Sequence, residues 1–386
     1  MIQLSKPDIT EKEINATIDV LKSWWLALWS KLKKFEKKWA EIANTKYASA
    51  VNSWTSWLHL IVHSLWIWKN DAVFVPSFTF IASVNCFIYE WAFPIFTDIE
   101  EDTYNIDSKW IENYIEKKCI FNNNILKDKE TWKIIKAIVW VHIFWHPFDI
   151  DNILKICKKY NLYLIEDSAE AIWSEYKWKK CGQFWEASIF AFYPNKQLTT
   201  GEGWIITTNN KNYFKLYESL KNQWRWDNMQ WLSHNKLWYN YRLSEINASI
   251  WIEQMKRLNE IINKRNIIAN LYNKLFLQYS DIIKIPTIRD YCTKYSRFIY
   301  VIEIKKDIDI KLLIDYLKDN WIQSKNYFSP IHLQEYYIKK YNTKCLELPI
   351  TNKIYKKTLA LPFYNSLQNT KIEYIVDRII TFLQNK

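Results

Sequence analysis

Glycine is almost missing from this chain. It occurs 3 times in 386 residues, where ordinary soluble usage of about 7% would give roughly 27. Glycine enters positive φ without steric cost, so its absence deprives the sharp turns of their usual residue. Paired cysteines are missing as well. The six cysteines (Cys86, Cys119, Cys157, Cys181, Cys292 and Cys345) are scattered with no CxxC pair. That argues against a disulfide framework or a metal site and fits a reducing cytoplasm. No stretch approaches 18 uncharged apolar residues, so nothing reads as a membrane span. The opening MIQLSKPDITEKE is polar and acidic with no apolar core, so no secretory signal is expected and the expected location is cytoplasmic.

In place of glycine the chain has tryptophan, 23 residues of it. Trp66 and Trp68 lie in HSLWIWKNDAVFV, Trp91 in IYEWAFPIF and Trp178 in EYKWKKCG. Each is a turn between apolar runs, where an indole would clash and expose apolar surface. The positions imply that most of these tryptophans stand for glycines: UGA codons written as Trp, from a genome that reads UGA as glycine. Heavy use of Lys, Ile and Asn, all spelled with AT-rich codons, suits such a genome. The alternative is a natural tryptophan-rich protein, such as an aromatic-lined carbohydrate binder. UGG codons at Trp54, Trp57 and Trp204 would decide for it.

The formal net charge is +12, from 53 basic and 41 acidic residues. Nucleic-acid binders cluster their cations on phosphate. Here lysines sit in mixed runs such as KLKKFEKK and KICKKY, alternating with acids or apolar residues at helical spacing. These read as solvated helix faces, and no nucleic-acid partner is expected.

A chain of 386 residues suits two packed domains, expected at 1–250 and 251–386. The first 250 residues alternate helix-like and strand-like segments. Helical patterns cover about 10–22, 55–66, 108–117, 150–160 and 210–222. Strand-like runs are Tyr47–Val51, Ala72–Val75, Pro94–Asp98, Lys136–His142, Leu162–Glu166, Ser188–Phe192 and Trp204–Thr207. Such alternation means βαβ units and a mostly parallel, seven-stranded sheet flanked by helices, an α/β fold. Residues 118–133 read as a polar insertion. A long helical stretch near 244–278 precedes a smaller α+β domain, with a strand at Phe298–Ile304 and helices at Ile310–Asn320 and 371–384.

Four segments carry the chemistry. YASAVNSWTSWLHLIV is a strand, a small polar turn and a helix. With Trp54 and Trp57 as glycines, the turn offers backbone N–H groups and hydroxyls at a helix N-terminus, a phosphate site; Ser and Thr also cap helices with no ligand present. LYLIEDSAEAIW delivers Glu166 and Asp167 at the end of a buried strand, where α/β sheets bind ligands. An acid there suits an ion pair with a protonated ring nitrogen, or a plain helix cap. SIFAFYPNKQLTTGEGW holds two of the three glycines, and Lys196 follows its strand and proline turn. A lysine so placed loses its proton more easily and can form a Schiff base. LWYNYRLSEINASI opens a helix with Asn240 and Arg242, which could meet phosphate or carboxylate. His142 and His146 in VHIFWHPFDID have metal-like i, i+4 spacing, but the proline and the strand-to-loop context break the register, so no metal is expected.

Together these segments resemble the sugar-nucleotide aminotransferases of the DegT/DnrJ/StrS family, fold-type I enzymes that use pyridoxal 5'-phosphate. FYPNKQLTTGEG is the most specific stretch, and YFSPIHLQEYY and LPITNKIYKKTLALPFYNSL resemble the family's small domain. The resemblance makes Lys196 the Schiff-base lysine and proton carrier. It sets Asp167 against the pyridine nitrogen, Glu170 beside the phenolic oxygen and Phe80 on the ring face. It gives position 54 (Trp54) and Thr55 to the phosphate, with Asn240 reaching it from a second subunit of a homodimer with shared sites. It implies amino transfer from glutamate to a nucleotide-linked keto-deoxysugar, at C4, for cell-surface glycan synthesis. Three departures stand out. The most serious is position 54, where a true Trp would obstruct the phosphate cradle. Ala191 replaces a common phosphate-binding Ser, a lost hydrogen bond worth about 1.5–3 kcal/mol to a charged acceptor. Ile172 replaces a frequent His. The family's sugar 3-dehydratases carry His at the lysine position, so Lys196 argues against that activity. The remaining alternative is a catalytically inactive homologue acting as a regulatory or assembly partner.

Overall fold

Continuous apolar runs make the strands of a sheet covered on both faces. In the computed structural model, residues 1–184, 187–222 and 239–386 are described, the side chains of Trp54, Thr55 and Trp57 excepted. Trp238, in the LWYNYRLSEINASI segment, lies outside the described residues. The strands are β1 (Tyr47–Val51), β2 (Asp71–Pro76), β3 (Phe93–Thr97), β4 (Cys119–Asn122), β5 (Ile125–Asp128), β6 (Ile134–Val141), β7 (Tyr163–Asp167), β8 (Glu175–Tyr176), β9 (Lys179–Lys180), β10 (Ser188–Ala191) and β11 (Trp204–Thr208). Seven form the path β1-β11-β10-β7-β6-β2-β3. Neighbours from β10 to β3 pair in parallel, while β11 runs antiparallel to both β1 and β10. All seven match the runs read from sequence. The polar insertion folds as the β4–β5 hairpin and adds two strands through β6.

Helices α1 (Glu11–Ser23), α2 (Ser30–Ala43), α3 (Trp54–Ser64), α4 (Ala82–Ile88), α5 (Ser108–Lys118), α6 (Ile150–Tyr160) and α7 (Lys211–Lys221) accompany this sheet. Local chemistry sets their ends. Thr10 and Glu13 form a capping box on α1, and Ser53 caps α3 by accepting from the Ser56 N–H at 3.1 Å. The long helical stretch divides at Arg257 into α8 (Glu245–Lys256) and α9 (Leu258–Leu277). Arg257 there pairs with Asp8 at 3.0 Å and Glu13 at 3.2 Å.

Beyond it come β12 (Ile283–Lys284), β13 (Cys292–Lys294), β14 (Tyr300–Ile304), α10 (Ile310–Asp319), α11 (Glu335–Tyr341), α12 (Pro349–Ile354), β15 (Thr358–Leu361) and α13 (Asn369–Gln384). A small sheet, β12-β14-β15, packs on α9, α10 and α13 through Tyr272, Tyr300, Ile302, Leu359, Ile375 and Ile379. Among the described residues no helix is long and apolar enough to cross a membrane.

Backbone geometry singles out the tryptophans. Trp24, Trp66, Trp91, Trp132, Trp145, Trp173, Trp178 and Trp321 all have positive φ. Outside glycine that conformation costs roughly 1–2 kcal/mol per residue. Trp24 is the left-handed C-cap of α1, the position helices commonly give to glycine. Of the four turn tryptophans read from sequence, Trp68 alone is outside this set. Trp39, Trp140, Trp204 and Trp251 bury an indole N–H that has no hydrogen-bond partner among the described residues, each at roughly 1–3 kcal/mol.

Candidate active site

The parallel strands present their C-terminal ends along one edge, and the loops leaving that edge carry the candidate residues. After β1 the chain enters α3, whose first residues are Trp54 and Thr55; their side chains lie outside the described residues. After β2 the loop holds Phe80, 44% exposed, just ahead of α4. After β7 come Asp167 and Glu170, and after β10 the turn to Lys196.

Lys196 is pulled inward. It is 7% exposed, its N–H bonds the Tyr193 carbonyl at 2.9 Å, and its Nζ donates to Glu170 Oε1 at 3.3 Å. The same Nζ lies 3.9 Å from the centroid of the Phe298 ring, a cation–π floor. Glu170 is itself fixed, because its Oε2 accepts the Phe144 N–H at 2.8 Å. Gln197 Nε2 donates to the Glu170 carbonyl and to the Ser296 carbonyl, both at 2.9 Å. The lysine turn is thereby stitched to the β7 loop and to the stretch before β14.

Asp167 is fully buried and accepts from Ser83 Oγ at 2.9 Å and the Ala169 N–H at 3.0 Å. Burial pushes its carboxyl up to about 7, against those hydrogen bonds and the nearby Lys196 charge. Its neighbour Glu166 faces the other side of the strand. His142 Nε2 at 3.0 Å, Ser188 Oγ at 2.7 Å and the Gly182 N–H at 2.6 Å surround it. Burial opposes the ionised form of Glu166, but these contacts prevail and hold its carboxyl below the usual range. Glu166 anchors the strand, and Asp167 faces the site. His142 and His146 diverge: His146 meets the Pro147 carbonyl at 2.6 Å and the Arg289 N–H at 3.0 Å. Among the described residues no cluster of His, Cys, Asp or Glu has the form of a metal site.

The structure thus brings Lys196, Glu170 and Asp167 together and puts α3 and Phe80 on the same sheet edge. Asn240 stands apart, exposed on an extended stretch paired with Asn222. Ser83 and Phe298 were not legible beforehand. Ser83 follows Phe80 in PSFTFIAS and carried no mark of its own, and Phe298 arrives from a distant strand.

The donor set fits a phosphorylated pyridine aldehyde. A buried lysine amine can condense with an aldehyde. A buried carboxylate fixed by the Ser83 hydroxyl and the Ala169 N–H suits a protonated ring nitrogen. The N-terminus of α3 suits phosphate. Beside the lysine, Asn195 Oδ1 and Gln197 Oε1 are buried without hydrogen-bond partners among the described residues, the polar surplus expected around a ligand.

Comparison with known proteins agrees. Residues 7–380 match the model of the DegT/DnrJ/EryC1/StrS aminotransferase family, and the chain belongs to that family. It is a pyridoxal-phosphate-dependent sugar aminotransferase by class. It is 32% identical over 386 residues to a GDP-perosamine synthase of Escherichia coli, covering 100% of this chain and 99% of that one. It is 31% identical over 389 residues to the UDP-4-amino-4,6-dideoxy-N-acetyl-beta-L-altrosamine transaminase of Campylobacter jejuni, covering 100% and 98%. The fold is similar to that of Helicobacter pylori PseC, with a TM-score of 0.89 at 23% identity and 100% of both chains covered.

The burial of Asp167 has a pH signature. Its folded pKa near 7 exceeds the unfolded value of about 3.9, so between those values the unfolded chain releases a proton that the apo fold retains. Its contribution to stability is greatest below about pH 4 and is lost as pH rises through about 7, a cost of order 4 kcal/mol. Asp167→Asn should therefore match the parent apo-protein near pH 4 and exceed it in denaturant midpoint at pH 8. Equal midpoints at pH 8 would contradict this.

Proposed function

We propose that this enzyme moves the amino group of glutamate onto C4 of a nucleotide-linked 4-keto-6-deoxyhexose, supplying an aminosugar for surface glycan synthesis. The observation that carries the reading is the buried Lys196, held by Glu170 at 3.3 Å and facing the Asp167 edge of the sheet. The Campylobacter jejuni relative is a transaminase of a 4-amino-4,6-dideoxy sugar, which favours the same carbon here.

Pyridoxal phosphate, when bound, supplies an electron sink that lets one site accept nitrogen from an amino acid and return it to a ketone. Lys196 and Asp167 would hold its aldehyde and ring-nitrogen ends. Glu170 and Phe80 would hold the ring, and Trp54 and Thr55 at the start of α3 the phosphate. Asn240 of a second copy would complete the phosphate site, making the enzyme a homodimer with shared sites.

Within this frame Lys196 Nζ takes the proton from the glutamate carbon that carries nitrogen. In the return half it delivers a proton to the sugar carbon that receives it. Glu170 holds the amine in reach between the two transfers, and the Phe298 ring closes the side away from the substrate against water. Asp167, on the far side, would be drawn into its ionised form by the protonated ring nitrogen and would stabilise it in turn. Glutamate leaves as 2-oxoglutarate and the keto-sugar as the amino-sugar, so nitrogen, protons and electrons balance over the two halves.

The test is a panel of UDP-, dTDP- and GDP-linked keto-deoxysugars with glutamate, following 2-oxoglutarate and locating the new amine by NMR. An amine at C3, or an inert protein that still dimerises, would overturn the reading. The Ala191 departure gives a second expectation. Ala191→Ser restores a hydroxyl worth about 1.5 kcal/mol or more on a charged acceptor, roughly tenfold in affinity. Cofactor titration of the apo-protein should show that tightening; an unchanged Kd would show that residue 191 does not face the phosphate.

A further inference from the structure

Two histidines one helical turn apart on α3, His59 and His63, both contact a single oxygen of Glu90, at 2.8 Å and 3.0 Å. Glu90 lies just beyond α4. Burial opposes its charge, yet the two imidazoles hold its carboxyl down to about 2, the mark of a strongly bonded carboxylate. Nothing in amino transfer as derived above uses this cluster.

The cluster packs against Tyr89 and Trp68 on its own side, and it also touches the stretch that carries Asn240. His59 Nδ1 meets the Tyr241 hydroxyl at 3.3 Å, and its ring stands edge-on to Tyr239 at 4.9 Å. Tyr239 and Tyr241 stack on each other at 4.9 Å with their planes 3° apart. The backbone between them is extended and tied on both sides. The Tyr239 N–H bonds the Leu220 carbonyl at 2.9 Å, the Tyr241 N–H the Lys221 carbonyl at 3.0 Å, and the Tyr241 carbonyl accepts the Asn52 N–H at 3.0 Å. In extended chain alternate residues share a face. Fixing both tyrosines inward against His59 therefore leaves the residue between them facing outward, and Asn240 is exposed.

We infer that Glu90, acting through His59 and His63, is a positioning residue that holds Asn240 in register for the cofactor phosphate of a second copy. The inference rests on the assignment of Asn240 made under the proposed function. It gives α3 two duties: its first turn faces the phosphate of its own site, while its later turns aim the asparagine offered to the neighbouring one.

The experiment is a titration of the dimeric apo-protein with pyridoxal phosphate, read by protein fluorescence, for Glu90→Ala, Asn240→Ala and the double variant. Tyr241→Phe, which keeps the ring and loses the hydroxyl contact, serves if Glu90→Ala fails to fold. Each single change is expected to weaken binding about tenfold, the size of one lost hydrogen bond to phosphate. The double variant should be no weaker than Asn240→Ala alone, because the two act through one contact. Full additivity, or weakening by Asn240→Ala with none from Glu90→Ala or Tyr241→Phe, would overturn the positioning role and leave Asn240's assignment standing. No effect of Asn240→Ala would instead remove that assignment, and this inference with it. A merely structural cluster would lower the melting temperature without moving cofactor affinity.

Discussion

Alanine in place of Lys196 is expected to lower turnover by about 10⁴-fold or more while the protein stays folded. In the proposed mechanism the amine both holds the cofactor aldehyde and carries a proton between carbons. The fold survives because the neighbourhood does not depend on the amine. Glu170 keeps the Phe144 N–H, and Gln197 still spans the Glu170 and Ser296 carbonyls. The visible absorbance of bound cofactor should lose its lysine-dependent band, and 2-oxoglutarate should stop forming from glutamate. Lys196→Arg separates charge from chemistry: it keeps a cation beside Glu170, yet an arginine cannot take up and release the proton at working pH. Both variants should be equally inert. Activity within about tenfold of the parent in either would remove Lys196 from the mechanism.

The second large effect concerns stability. Six of the left-handed tryptophans are also exposed: Trp24, Trp66, Trp91, Trp132, Trp178 and Trp321. An exposed indole gains little from packing, so the backbone strain goes uncompensated, and glycine should recover about 1 kcal/mol at each. Ring contacts among the described residues join Trp66 to Trp68 but no two of these six to each other, so the gains should nearly add to several kcal/mol. Trp145 shows why the prediction stops at six. Its φ is 143°, but the side chain is buried against Tyr295 and Arg297. Truncating a packed tryptophan costs roughly 3–5 kcal/mol, more than the strain returned. Trp110, inside α5, is the control, since glycine in a helix interior costs about 1 kcal/mol relative to alanine. Urea unfolding of the sixfold variant beside Trp110→Gly should show midpoints moving in opposite directions. A sixfold variant no more stable than the parent would mean that the chain is adapted to tryptophan at those turns.

The sequence was most legible where burial imposes a pattern. Strands enclosed on both faces must be apolar throughout, so LYLIED and KAIVWVH announced β7 and β6. Asp167 and Lys196 were legible because a charged residue at the end of such a strand has few structural uses. Helix α2 was less so: its apolar positions are diluted by lysines, and KLKKFEKK reads as surface until Leu32, Phe35 and Trp39 are seen buried. Helix α4 is 7 residues long, too short to establish a period. Ser83 and Phe298 could not be read at all, since a hydroxyl becomes a carboxylate's donor, and a ring a lysine's floor, only through tertiary contact. The Glu90 cluster was invisible for the same reason, its carboxylate lying outside every motif.

One arrangement at the site bears on how the enzyme is made. Gln197, next to the reactive lysine, closes on Ser296, 99 positions further along the chain, and the aromatic floor is Phe298. A ribosome that has released the whole central sheet has therefore not yet delivered the surroundings that draw Lys196 inward. During that interval the amine is open to water and to any stray aldehyde. On the proposed assignment of Lys196, cofactor capture is expected to be a late event that awaits the last third of the polypeptide, and chains that terminate early should emerge as sheets without chemistry.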